Sequence, residues 1–190
     1  MRIIWQGTDS LFLVKFPKQL KKKKIFYVMA LRIFARLTDF FSCEHFACGI
    51  LVENNLRKFG MKKPIKQYKS PPKFIDIVRQ DHSGFNILYY LPKNANAFRK
   101  WLYGYDIFLE IEKYFKSCKK WNIFIVDGSY DMNKIYPIID CLIRPNRHDG
   151  ISRMISECKE IGIPYIWSQE NPDLEYFIEK IRDIYLYKTK

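Results

Sequence analysis

The feature that most constrains this chain is a rhythm: short apolar runs, each closed by turn residues and followed by a segment whose apolar residues recur at helical spacing. In the second half the runs are Phe85–Leu91, Asn122–Val126, Asp140–Ile143 and Tyr165–Ser168. Short runs rich in Ile, Val, Phe and Tyr read as buried strands. Between them, Ile107, Phe108, Ile111, Tyr114, Phe115 and Cys118 line one side of a predicted helix over 106–118, with Asp106 as its cap. Met154, Ile155, Cys158 and Ile161 mark a helix from Ile151 that Gly162 and Pro164 stop. Leu174, Phe177, Ile178, Ile181 and Ile184 mark a last one. Strands alternating with helices predict parallel sheets with helical cover.

The first half repeats the rhythm. Arg2–Trp5 reads as a strand feeding the loop Gln6-Gly7-Thr8-Asp9. A basic amphipathic helix is expected over Leu20–Leu37, a strand over Phe40–Cys43, a helix over Glu44–Phe59 closed by Gly60, and a strand over Pro64–Tyr68. The stretch from Ser70-Pro71-Pro72 to Gly84 reads as the boundary, which predicts domains at 1–80 and 81–190.

Charge divides at the same place. Residues 1–80 hold 17 Lys and Arg against 5 acids, and residues 81–190 hold 16 against 15. The first part should therefore face an anionic partner: a lipid surface, a phosphorylated acceptor or nucleic acid. The tract over 20–37, with lysines Lys21–Lys24, is the candidate for peripheral membrane contact. Its most apolar part, Ile25–Phe41, carries Arg32, Arg36 and Asp39 and is too polar to span a bilayer. No secretory signal is apparent, and the odd set Cys43, Cys48, Cys118, Cys141 and Cys158 reads as reduced core residues. A cytoplasmic, membrane-associated protein is the expectation.

Arg144–Glu157, RPNRHDGISRMISE, is the stretch that speaks to chemistry. A loop ending in Asp149-Gly150 presents the amides of Ile151, Ser152 and Arg153 at a helix start, where free N–H groups and the helix dipole favour phosphate. Asp149 and Glu157 flank it, with seven residues between them. This acid, seven residues, acid pattern, with Gly150 after the first acid and the later Gly162, Pro164 and Ile166, resembles the nucleotide-sugar signature of retaining GT-B glycosyltransferases, the glycosyl transferases group 1 type. Ile135-Tyr136 and Asp140–Ile143 resemble that family's approach strand, and Gln6–Asp9 resembles its His-Gly-Ser/Thr-Asp segment, with Gln6 in place of His.

The resemblance implies an abbreviated GT-B arrangement, an α/β fold of two Rossmann-like parallel-sheet units flanked by helices. The first half of the usual acceptor domain and one βα unit would be missing. It also implies roles. Asp149 would hold donor-sugar hydroxyls and carry catalysis, though the family usually has the longer Glu there. Gly150, Ile151, Ser152 and Arg153 would hold the diphosphate and Glu157 the ribose, with Arg147 and His148 of the same loop among the substrate-binding residues. Gly7 would lie close under the sugar, Gly128 and Ser129 near the base, and Lys93, Arg99 or Lys100 against the diphosphate. Asp127 and Asp131 read as turn residues, and the family's chemistry needs neither metal nor cofactor. The expected activity is hexosyl-type transfer from a nucleotide-diphosphate sugar to an unidentified acceptor, for which an anionic or lipid-linked molecule suits the basic half. Two alternatives stay open: a nucleotide-binding module without catalysis, and a basic nucleic-acid binder, which lacks a recognition helix or stacking motif.

Overall fold

The computed structural model describes residues 1–5, 7–14, 22–41, 43–68, 77–116, 120–148, 152–168 and 171–188. They divide into two compact units, one within residues 1–70 and one within 71–190. Each is a parallel sheet flanked by helices, the Rossmann-like α/β arrangement expected from the sequence.

The first unit runs β1 (Arg2–Trp5), α1 (Gly7–Val14), α2 (Lys22–Phe40), β2 (Glu44–Ala47), α3 (Ile50–Phe59) and β3 (Ile65–Gln67), with sheet order β1-β2-β3. Trp5, Ala47, Leu13, Ala35, Val52 and Leu56 pack its core, so all three helices contribute. The expected strand over Phe40–Cys43 and helix from Glu44 are both displaced. α2 continues through Phe40, and β2 begins at Glu44, whose amide bonds the Met1 carbonyl at 2.9 Å. Tertiary anchors extend the helix: Asp39 accepts the amides of Lys62 and Lys63, and the Arg36 guanidinium caps the carbonyls of Phe59 and Gly60. Gly7–Asp9, expected in a loop, opens α1 instead.

The second unit comprises β4 (Phe85–Tyr90), α4 (Ala97–Leu102), α5 (Tyr105–Phe115), β5 (Trp121–Val126), α6 (Met132–Ile135) with a 3-10 turn over Tyr136–Ile138, β6 (Cys141–Pro145), α7 (Arg153–Glu160), β7 (Tyr165–Ser168) and α8 (Leu174–Lys188). Strand order is β5-β4-β6-β7, all parallel. The central β6 is buried throughout. β5, expected to be buried, buries only Val126, because it is the sheet edge.

Side chains alternate across this sheet with the period of two that extended backbone imposes. Ile87, Tyr89, Cys141 and Ile143 meet α5 and α8 through Phe108, Ile111, Phe177 and Ile181. Leu88 and Leu142 point the other way, against Ile155 and Cys158 of α7 and Tyr136 and Ile139. Full burial of side chains such as Phe108 or Ile111 contributes about 1.5–3 kcal/mol each.

The connection pattern makes a place for a ligand. From β4 the chain moves outward to β5 with α5 on one face, and from β6 it moves the opposite way to β7 with α7 on the other face. The connections after β4 and β6 therefore lead to helices on opposite faces of the sheet, and the strand order reverses between these two central strands. In open α/β sheets this reversal point is where ligands bind.

Candidate functional site

Loops from β4, β5 and β6 meet the carboxyl edge of the second sheet. After β4, Lys93 is exposed and its charge acts on Asp127, which follows β5. The loop expected over 92–100 gives way to α4 at Ala97, because the Asn96 side chain accepts the Arg99 amide at 2.9 Å and caps a helix. Arg99 is consequently an exposed residue of α4, and the Lys100 ammonium lies 5.1 Å from the Tyr105 ring centre.

The turn after β5 is self-contained. Asp127 accepts from both the amide and the hydroxyl of Ser129, which hold its carboxyl below the usual range, with Lys93 adding to the effect. Asp131 caps α6 through the Asn133 amide at 3.1 Å, so both acids are turn residues as expected. Gly128 is exposed, and a side chain there would lie 3.6 Å from the Tyr90 hydroxyl at the end of β4.

Beyond β6 the chain is tied down firmly. Arg147 donates from Nη1 and Nη2 to the two oxygens of Asp106, each at 2.6 Å, and from Nη1 to the Trp101 carbonyl at 2.8 Å. Its guanidinium also covers the Trp101 ring, and its amide bonds the Leu102 carbonyl at 2.9 Å. Arg147 holds Asp106 well below the ordinary carboxyl range, chiefly through these hydrogen bonds. The residue expected to meet substrate thus fastens the β6–α7 loop to the α4–α5 corner. That engagement also displaces Asp106 from the expected cap: Gly104 caps α5, with φ 65°, where the Pro145 carbonyl leaves no room for a side chain.

His148 is buried, as is the neighbouring Asn146. Ser152 is the buried N-cap of α7 and Arg153 its exposed first residue. Asp149, Gly150 and Ile151 lie outside the described residues, as does Gln6, while Gly7 opens α1 of the first unit. No protein-family model matches the chain, and no curated protein matches it.

Glu157 differs from an ordinary helix-surface glutamate. It is 2% exposed, and its Oε2 accepts the Tyr136 hydroxyl at 2.7 Å. Burial, and then this bond, push the Tyr136 phenol far above its normal range, while Arg144 pulls it back. Arg144 was not singled out as a site residue from sequence. It is buried at the carboxyl end of β6, with its guanidinium 5.9 Å from the Tyr90 ring centre and 6.0 Å from that of Tyr103. Its Nη1 also lies 3.8 Å from the Met154 sulfur of α7. The signal in the sequence was a lone charge inside the run from Cys141 to Pro145. Trp167, in β7, carries a buried indole N–H with no hydrogen-bond partner among the described residues.

Proposed function

We propose that the protein transfers a sugar from a nucleotide-diphosphate donor, with the donor at the carboxyl ends of β4 and β6. The reversal of strand order between β4 and β6, with Ser152 and Arg153 at the start of α7, is the observation that carries the reading. The diphosphate would meet the amides at the start of α7, with Ser152 and Arg153, aided by Lys93 and by the field of Arg144. Fixed donors of this kind stabilise charge developing on a leaving diphosphate without reorganising. Glu157 would take the ribose hydroxyls, and Asp149 would orient the sugar and so align the bond to be broken. Peripheral membrane contact and an anionic or lipid-linked acceptor belong to the same reading.

The burial of Glu157 and the bond it accepts from the Tyr136 hydroxyl support a fixed orientation of its carboxyl group at α7. A second reading, nucleotide binding without transfer, draws support from Gln6 in place of a proton-carrying His and from the helical start of Gly7–Asp9. Thermal-shift measurements with UDP-, GDP- and ADP-sugars and the bare diphosphates, followed by hydrolysis assays on each hit, separate the two. Stabilisation by the sugar conjugate beyond that of its diphosphate, together with slow hydrolysis, is the expected result. Equal stabilisation without hydrolysis would leave a nucleotide-binding module, and no shift with any nucleotide would overturn both.

A further inference from the structure

The outward side of α2 carries an exposed apolar stripe that no other described residue covers. Phe26, Met29, Ile33, Leu37 and Phe40 recur at three- and four-residue intervals, so they share one face of the helix. They are 75%, 53%, 60%, 50% and 83% exposed. Val28, Ala35 and Thr38, on the opposite side, are buried. The helix is thus apolar on both sides.

The charged side chains in this part of α2 are engaged by backbone of the first unit. Arg32 donates to the Phe12 carbonyl, Arg36 caps Phe59 and Gly60, and Asp39 accepts the amides of Lys62 and Lys63. Each satisfies backbone of the first unit itself. From Phe26 to Phe40 the stripe extends about 21 Å at 1.5 Å per residue, well short of a bilayer's hydrocarbon core. No helix among the described residues is long and apolar enough to cross a membrane.

We propose that this face of α2 lies in the plane of an anionic membrane surface, with the stripe seated at the boundary between headgroups and acyl chains. Charge decides between this occupant and a second copy of the chain. Residues 1–80 hold 17 basic residues against 5 acids, and the densest basic run, Lys21–Lys24, directly precedes the stripe. Two copies meeting through α2 would bring these like charges together, whereas an anionic lipid surface neutralises them. Aromatic residues at either end, Phe26 with Tyr27 and Phe40 with Phe41, suit the interfacial zone.

The test is co-sedimentation of the full chain with phosphatidylcholine vesicles and with mixed phosphatidylcholine–phosphatidylglycerol vesicles, at low and high salt. No nucleotide sugar is present, so the outcome is separate from that of the donor reading. The protein should pellet with the mixed vesicles and not with the neutral ones, and retention should fall steeply as salt rises. Phe26→Ser with Phe40→Ser should lower the partition coefficient about tenfold or more while leaving the melting temperature unchanged, since both side chains are exposed. Lys22, Lys23 and Lys24→Gln should weaken binding to the mixed vesicles alone. No pelleting at low salt, equal pelleting with neutral vesicles, or indifference to the Phe substitutions would each overturn the proposal. So would a concentration-dependent dimer in lipid-free buffer that the same Phe substitutions abolish, since the stripe would then belong to a second copy.

Discussion

Gly104→Ala, compared with Gly162→Ala, measures how tightly the α4–α5 corner is locked to the end of β6. Both glycines adopt left-handed backbone, with φ 65° and 73°. An L-residue there costs about 1–2 kcal/mol relative to ordinary helical backbone. Only that cost applies at Gly162, where an added methyl would meet nothing within 4 Å. At Gly104 the methyl would overlap the Pro145 carbonyl oxygen and lie 2.7 Å from the carbonyl carbon. β6 is buried throughout and Arg147 pins the chain two residues further on, so Pro145 has little room to retreat. Overpacking of this kind adds about 1–3 kcal/mol. The expected losses are therefore about 1–2 kcal/mol for Gly162→Ala and about 2–5 kcal/mol for Gly104→Ala, or very roughly 5–15 °C and 10–30 °C in melting temperature for a domain of this size. Circular dichroism melts of the two variants and the wild type provide the comparison. If Gly104→Ala melts no lower than Gly162→Ala, the corner is not locked against β6 and the rigid mounting of the β6–α7 loop is refuted.

Three further outcomes are expected. Glu157→Gln should weaken nucleotide-diphosphate binding about tenfold or more, since a hydrogen bond to a carboxylate contributes roughly 1.5–3 kcal/mol; unchanged affinity by calorimetry removes Glu157 from the ribose site. Asp140→Asn should lower stability by about 1–3 kcal/mol in denaturant melts, because the buried Asp140 carboxylate takes the Asn86 amide at 2.7 Å, His82 at 3.3 Å, Arg79 at 3.5 Å and Lys188. The cost stays below that of a fully buried pair because Arg79 and Lys188 are partly exposed and remain hydrated; a change under a few tenths would mean that this cluster does not hold the end of α8. Finally, the first unit should lose stability in mild acid through His45, whose Nδ1 accepts the Trp5 indole at 3.1 Å while Nε2 has no hydrogen-bond partner of normal geometry despite the nearby Thr38 backbone. Burial lowers its pKa below the ordinary 6.5, so the unfolded chain takes the proton first: the contribution is complete above about pH 6.5 and is lost as pH falls through the folded value. His45→Asn should flatten that slope in urea melts at pH 5 and 7, and an unchanged slope would assign it elsewhere.

The alternation of apolar runs and helical spacing was enough to read the parallel α/β organisation and all four strands of the second sheet, of which the central β4 and β6, buried on both faces, leave the least ambiguity. It was weaker where burial is one-sided or tertiary contacts decide. Phe40–Cys43 has the composition of a strand, yet Arg36 and Asp39 bind the backbone around Gly60 and prolong α2, and pairing with Arg2–Trp5 selects Glu44–Ala47 instead. α4 was hidden because its six residues are too few to show a period, and only the Asn96 cap marks it. At the candidate site the same distinction recurs between residue type and residue commitment. Arg147 reads as a loop cation, but Asp106 and Trp101, some forty positions away in sequence, already occupy its donors. Glu157, expected from the sequence at a ribose, accepts the Tyr136 hydroxyl. Arg144, placed by the sequence just beyond the strand Asp140–Ile143, is a buried charge within β6, where the strand order reverses. Periodicity locates the edge of the sheet where a ligand can be held. Which charges are already committed depends on pairings between distant segments, which residue type and spacing alone do not show.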